Sequence, residues 1–243
     1  MKLLLIYINP IKEFDEEGKV TVKIQIDNSL ELGWKLEDIL LYTNFPYEYN
    51  GVKSIVIDDN TYSDISSKTS VISYLFDKGL IGDELYWVHD LDAFQDYVIT
   101  EDEIKEVMGN ADIALTDSGA TTRWALGSIF FKKSSEDIFR MIKDKVNQEE
   151  INEEKALRRL TLKNINNINP RIKKLNISYN FQMWNIGLCY PMAIKPLRVL
   201  HFHPFRNFKG MNTLDFFLRG KNKINTMLMS ERLVKIFNKY GIV

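Results

Sequence analysis

One cysteine, Cys189, stands among 243 residues. No internal disulfide is therefore available, and a reducing compartment suits the chain. Beside Tyr190 and Pro191 that thiol reads as a small apolar filler. No stretch approaches the roughly 18 apolar residues that a membrane-spanning helix needs. The opening MKLLLIYINP has a short apolar run without a small-residue cleavage site, and Asn9-Pro10 end it. It predicts a buried first strand rather than a signal peptide, and the expected location is the cytoplasm, of a bacterium or of a virus-infected cell. Glycine is scarce where a nucleotidyltransferase would carry its phosphate-cradling loop: residues 7–19 hold only Gly18. Internal repeats and low-complexity linkers are also lacking, which favours a single domain.

Acidic residues are nearly missing from one part of the chain. Residues 155–243 hold 2 Asp/Glu against 17 Lys/Arg, whereas residues 1–154 hold 31 against 15; the net charge of −1 hides this split. Two accounts compete. The two parts pack together and neutralise each other, or the basic third meets a polyanion such as DNA, RNA or an anionic membrane. Phe181, Trp184, Phe202, Phe205 and Phe208 interleave with Lys195, Arg198, Arg206 and Lys209. That mixture suits a nucleic-acid surface, and it equally suits a core with a solvated edge.

What is present is the ordinary material of a globular α/β protein, 45% hydrophobic and 27% charged, long enough for one large domain. Strands are predicted over Leu3–Ile8, 20–26, Ile39–Tyr42, Ser54–Ile57, 84–89, 111–116, 126–132, 175–181 and 196–204. Helices are predicted over 66–78, from about 134 to 146, and over 148–162, with Asp27-Asn28-Ser29 capping a further short one. Strands alternating with helices over the first 150 residues imply a mostly parallel central sheet flanked by helices. One main domain over 1–210 with a basic, helical extension over 211–243 is the expected organisation.

The most informative stretch is LYWVHDLDAFQ, residues 85–95. An apolar strand runs directly into Asp90 and Asp92. Ligands of open α/β sheets bind outside the carboxyl ends of the strands, which is where these carboxylates fall. Two carboxylates at one such spot repel each other, and a hard divalent cation shared with a phosphate satisfies both. Such a cation would also stabilise a departing diphosphate. Solvated turn carboxylates are the alternative, and Asp58-Asp59 are equally eligible for that role.

The order of strand, Asp-Leu-Asp, two more strands, an acidic helix and a late histidine-bearing strand resembles the GT-A nucleotide-sugar glycosyltransferases. Val199-Leu200-His201-Phe202 is similar to the histidine strand of the glycogenin-like group. The resemblance implies that Asp90 and Asp92 contact metal and diphosphate, with His201 as third ligand. His203, two residues on and on the same strand face, is the other candidate. Imidazole suits Mn²⁺ somewhat better than Mg²⁺. The group's Gly then Lys-Pro-Trp is replaced here by Pro204-Phe205-Arg206-Asn207-Phe208-Lys209, leaving Arg206 and Lys209 as loose counterparts of its phosphate-gripping lysine.

The same resemblance places Lys68, at the start of a helix, near the nucleotide, and Tyr7 and Asn9, at the first strand end, near the base. Asp117, beside the small residues 118–120 and Arg123-Trp124, is expected to bond sugar hydroxyls. Glu153 and Glu154, at the start of a helix, are candidates for general base, and only one is expected to face the site because adjacent helical positions diverge by about 100°. For Lys68 and the glutamates plain surface solvation is the alternative, for Tyr7 a core position, and for Asp117 a tight turn. The implied function is transfer of a sugar from a nucleotide-sugar, most simply a UDP-sugar, with Mn²⁺ or Mg²⁺. The acceptor is a hydroxyl of a glycan, a lipid-linked precursor or a modified pyrimidine in phage DNA. A non-catalytic nucleic-acid-binding protein using the basic third is the rival class.

Overall fold

The computed structural model describes residues 1–58, 61–63, 67–117, 124–202 and 226–242. Its strands are β1 (Lys2–Tyr7), β2 (Ile39–Thr43), β3 (Glu48–Tyr49), β4 (Val52–Val56), β5 (Tyr86–His89), β6 (Ala93–Gln95), β7 (Ile113–Thr116), β8 (Ala125–Phe131), β9 (Ile172–Leu175), β10 (Phe181–Gln182) and β11 (Val199–His201). The helices are α1 (Glu16–Glu31), α2 (Ser67–Asp77), α3 (Glu101–Met108), α4 (Glu136–Glu149), α5 (Glu153–Leu162), α6 (Ile186–Cys189) and α7 (Glu231–Lys239).

Eight strands form the main sheet in the order β3-β4-β2-β1-β5-β8-β7-β9. The run β4-β2-β1-β5 is parallel, as is β7-β9, while β8 lies antiparallel to both β5 and β7. The sheet is thus mixed around a parallel half. Apolar layers cover both faces: Leu4, Val88 and Phe131 meet α2, α4 and α5 on one, while Leu3, Leu5, Trp87 and Phe130 meet α1 and α3 on the other. A small sheet, β10-β11-β6, packs with α1 and α7 through Phe94, Phe181, Leu200, Phe202 and Phe237. The parallel strands bring the ends of β1, β2, β5, β7 and β9 to one carboxyl edge.

The predicted strand over 20–26 is helix α1. Asp15 caps it, its Oδ1 accepting from the Gly18 N–H at 2.6 Å, and Glu16 and Glu17 complement the dipole of the first turn. Val22 and Ile26 face the main sheet, whereas Ile24 faces the cluster with Phe237. A helix buried on two sides shows apolar residues at every second position as readily as a strand does. Asp27, Asn28 and Ser29 are its buried last turns rather than a cap, and Gly33, at φ 86°, ends it.

Other differences are local. The predicted strand over 175–181 is interrupted, because the Asn176 side chain accepts from the Ser178 N–H at 3.0 Å and turns 177–180 into a 3-10 segment. The continuous helix over 148–162 breaks at Glu150, in the left-handed region at φ 49°, and restarts where Asn152 caps α5. Phe181 and Phe202 are core residues.

The charge split is partly settled by packing. Arg171 bridges Asp112 and Asp137, Lys174 pairs with Asp117, Arg198 with Glu103, and Lys239 with buried Asp27.

Candidate active site

β5 delivers Asp90 to the carboxyl edge, where its N–H bonds to the Gly127 carbonyl of β8 at 2.9 Å. A turn closes at once, the Ala93 N–H donating to the Asp90 carbonyl at 2.9 Å, so Asp92 lies in a tight bend before β6. Helix α1 grips the bend and β6 from one side. Gln25 Nε2 donates to the carbonyls of Leu91 and Ala93, each at 2.9 Å, and Asn28 Nδ2 to that of Gln95 at 2.8 Å. The carbonyl of Asp92 accepts from the Phe202 N–H at 2.9 Å. In the small sheet His201 pairs in register with Ala93, which sets the histidine beside Asp92.

The His201 ring is buried. Its Nδ1 lies 3.0 Å from Asn180 Oδ1, and an amide oxygen only accepts, so Nδ1 carries the proton. Nε2 then faces Asp92 Oδ1 at 3.2 Å and Asp90 Oδ2 at 3.8 Å. Burial disfavours the imidazolium, but the Asp92 and Asp90 carboxylates outweigh it and hold the pKa above the ordinary value of 6.5. One ligand atom each from Asp90, Asp92 and His201 falls within 4.8 Å of the others. Gly127 makes the space: a Cβ there would lie 2.5 Å from His201 Cε1 and Nδ1 and 3.1 Å from Asn180 Oδ1. Two carboxylate oxygens and one imidazole nitrogen, the imidazole oriented from behind, are a donor set that fits Mn²⁺ or Mg²⁺.

Lys68 is no solvated helix lysine. Its Nζ donates to Asp90 Oδ1 at 2.6 Å and to the Leu126 carbonyl at 2.6 Å, and it pairs with Glu153 Oε1 at 2.8 Å. Burial opposes this charge, but the two carboxylates hold the ammonium above its ordinary range. Glu153 Oε2 accepts from Thr69 Oγ1 at 2.6 Å, while Glu154 Oε1 accepts from the Leu126 N–H at 3.3 Å. Both glutamates therefore turn toward the β8 edge, against the expectation that only one would. They occupy the first turn of α5, Glu153 reaching Lys68 and Thr69 of α2 and Glu154 the backbone of β8. Burial raises the Glu154 carboxyl. Replacing Lys68 by methionine leaves Asp90 and Glu153 facing each other, and a loss of about 3 kcal/mol in urea unfolding is expected.

Tyr7 and Asn9 lie at the same edge, at the end of β1. The Tyr7 hydroxyl accepts from Asn9 Nδ2 at 3.0 Å and from the Asp15 N–H at 3.1 Å, and its ring rests on Phe14 and Gly18. Asn9 is in turn tied to Asn44 at the end of β2, in both directions. Asp117 follows β7 to that edge and pairs with Lys174 at 3.1 Å. Trp124 offers no stacking face: it is buried, its Nε1 donating to Thr161 Oγ1 at 3.1 Å. His203, Arg206, Lys209, residues 118–120 and Arg123 lie outside the described residues.

Several site residues are not legible in the sequence. Gln25, Asn28, Gly127 and Asn180 act on other elements from a distance along the chain. His89, buried against Trp87, donates Nδ1–H to the Asp90 carbonyl at 3.0 Å, and burial pushes its pKa down to about 4, so it stays neutral. For Gln25, Asn28 and His89 a polar residue inside an apolar segment is the available signal.

No protein-family model and no curated protein matches the chain. Solved structures do. The galactosyltransferase LgtC, in complex with donor and acceptor sugar analogs, is similar over 98% of this chain and 96% of its own, at 10% identity and a TM-score of 0.59. GlyE of Streptococcus pneumoniae TIGR4 is similar over 100% of this chain and 60% of its own, at 14% identity and a TM-score of 0.58. A glycosyltransferase involved in glycosylation of the major capsid of PBCV-1 is similar over 86% and 96%, at 11% identity and a TM-score of 0.54. The chain therefore has the GT-A fold of these glycosyltransferases, with Asp90, Asp92 and His201 gathered at the carboxyl edge of its sheet.

Proposed function

We propose that the protein is a metal-dependent glycosyltransferase that moves a sugar from a nucleotide-sugar to a hydroxyl acceptor. The observation that carries this reading is the Asp90–Asp92–His201 group on a GT-A fold, at the edge where such a sheet binds ligands. Asp90, Asp92 and His201 Nε2 hold the divalent cation, which when bound supplies positive charge to the diphosphate. Tyr7 and Asn9 are assigned to the base, with a UDP-sugar as the expected donor; Arg206 and Lys209 are assigned to the phosphates.

Lys68 orients Asp90 through their 2.6 Å contact, and its own charge is assigned to the diphosphate. Glu153 is already paired with Lys68. Glu154, with its carboxyl raised by burial, is the better acceptor for the proton of the attacking hydroxyl. Asp117 is assigned to the sugar or acceptor hydroxyls. A sugar acceptor is favoured, since LgtC is described with an acceptor sugar analog. Several cations of the basic third are already spent on carboxylates, which weakens the case for DNA. Among the described residues no helix is long and apolar enough to cross a membrane, and the cytoplasm, where nucleotide-sugars are made, is the assigned location.

Melting in a panel of nucleotide-sugars, each with and without Mn²⁺, tests the proposal. One donor is expected to raise the melting temperature only when the metal is present. No shift with any donor sinks the assignment. A gel shift with duplex DNA across salt decides the acceptor: salt-sensitive binding would revive DNA.

The raised His201 pKa also sets a pH dependence. Below it the imidazole holds a proton between the carboxylates, and a cation must displace that proton. Mn²⁺ affinity, measured by electron paramagnetic resonance, is expected to be weak at pH 6.5 and to strengthen as pH rises through the folded-state value. An affinity flat across that window contradicts His201 as a ligand.

A further inference from the structure

The connection from β10 to β11, residues 183–198, joins two parallel strands, and it starts beside the site because Gln182 pairs in register with His201. Most of it is not buried. Leu188, Tyr190, Met192 and Ile194 are 49%, 45%, 54% and 68% exposed, four large apolar side chains within seven positions. Buried Cys189 and Leu197 pin the segment from within. Scattered exposed apolar residues need no explanation, but a cluster on one short segment does.

We propose that this segment is an interfacial anchor that docks the protein on an anionic lipid bilayer. Three features select a bilayer. First, the backbone is largely satisfied from inside, as insertion among acyl chains requires: the Tyr190 N–H bonds to the Ile186 carbonyl, and the Ala193 N–H to that of Tyr190. The Asn176 side chain serves both the Met192 carbonyl, at 3.1 Å, and the Ile194 N–H, at 2.9 Å.

Second, the ammonium of exposed Lys195 sits 3.3 Å from the centre of the Tyr190 ring. A tyrosine and a lysine at the rim of an apolar wedge belong at headgroup depth. Third, residues 183–198 contain no aspartate or glutamate, and Lys195 stands exposed among them while Arg198 is paired with Glu103. This face therefore attracts anionic headgroups and repels a second copy of itself. Docking through it brings the neighbouring carboxyl edge toward the membrane surface.

Co-sedimentation with vesicles tests it. The protein is expected to pellet with phosphatidylcholine–phosphatidylglycerol vesicles, far less with phosphatidylcholine alone, and less again at high salt. The L188S/M192S/I194S variant is expected to lose partitioning on the order of tenfold or more. Its melting temperature should hold, because the altered side chains face solvent. Lys195→Glu is expected to weaken binding only to the anionic vesicles. Wild type remaining in the supernatant with both lipids overturns the proposal, as does equal partitioning of the triple variant. A wild-type dimer in light scattering that the triple variant converts to a monomer assigns the face to a second copy and also overturns it. Vesicle binding needs neither donor nor metal, so its failure is separate from that of the proposed sugar transfer.

Discussion

Alanine at Asp92 is expected to abolish Mn²⁺ binding and to lower sugar transfer by about three orders of magnitude, with the fold retained. The carboxylate contributes little to folding. It belongs to a like-charged pair that faces the His201 imidazole at 3.2 Å, and removing it relieves repulsion with Asp90. The backbone of Asp92, by contrast, is built into the sheet through the Phe202 N–H, and alanine keeps that bond. Metal titration, turnover and melting separate the two contributions. Undiminished transfer in the variant refutes the proposed chemistry; a large drop in melting temperature would instead mark Asp92 as structural.

Alanine at Gly127 is expected to weaken Mn²⁺ binding about 10- to 100-fold and to cost about 2 kcal/mol in stability. The added methyl has nowhere to go, since the atoms it meets belong to the His201 ring and the Asn180 amide, both buried. Either the ring swings away from Asp90 and Asp92 or β8 moves, and β8 is held by strands on both sides. The double variant with His201→Ala provides the check. Emptying the ring's space should return much of the stability lost in Gly127→Ala, a coupling between the two positions. Additive losses would show that the glycine serves the strand and not the histidine.

Much of the sheet can be read from residues alone. β1, β2, β5, β7 and β8 are short apolar runs bounded by polar turns, and their burial on both faces leaves little else for them to be. The Asp90–Asp92 pair is legible for the same reason, being the first charge after such a run. α1 is not, because burial on two sides erases the one-sided stripe that identifies a helix. Nor is the Lys68–Glu153 contact, which joins the first turns of two helices; the neighbouring Thr69–Glu153 bond spans 84 positions. Lysine and glutamate at helix starts look solvated unless the packing of α2 on α4 and α5 is known. Asn180 and Gly127 carry no local signal: one is an amide in a turn, the other a glycine in a strand, and each acquires its role only against His201.

The hold of the late helix on the small sheet has a consequence for how the protein is made. Asp96, directly after β6, accepts from the Ser230 N–H and hydroxyl, and Arg232 donates to the carbonyls of Gln95 and Asp96. Asp96 and Ser230 are separated by 134 positions. At about 5–20 residues per second a ribosome needs roughly ten seconds to supply Ser230 after Asp96. Throughout that interval β6, which follows the bend bearing both aspartates, lacks its hold from the late helix, so a nascent chain that has already exposed Asp90 and Asp92 does not yet carry the finished site.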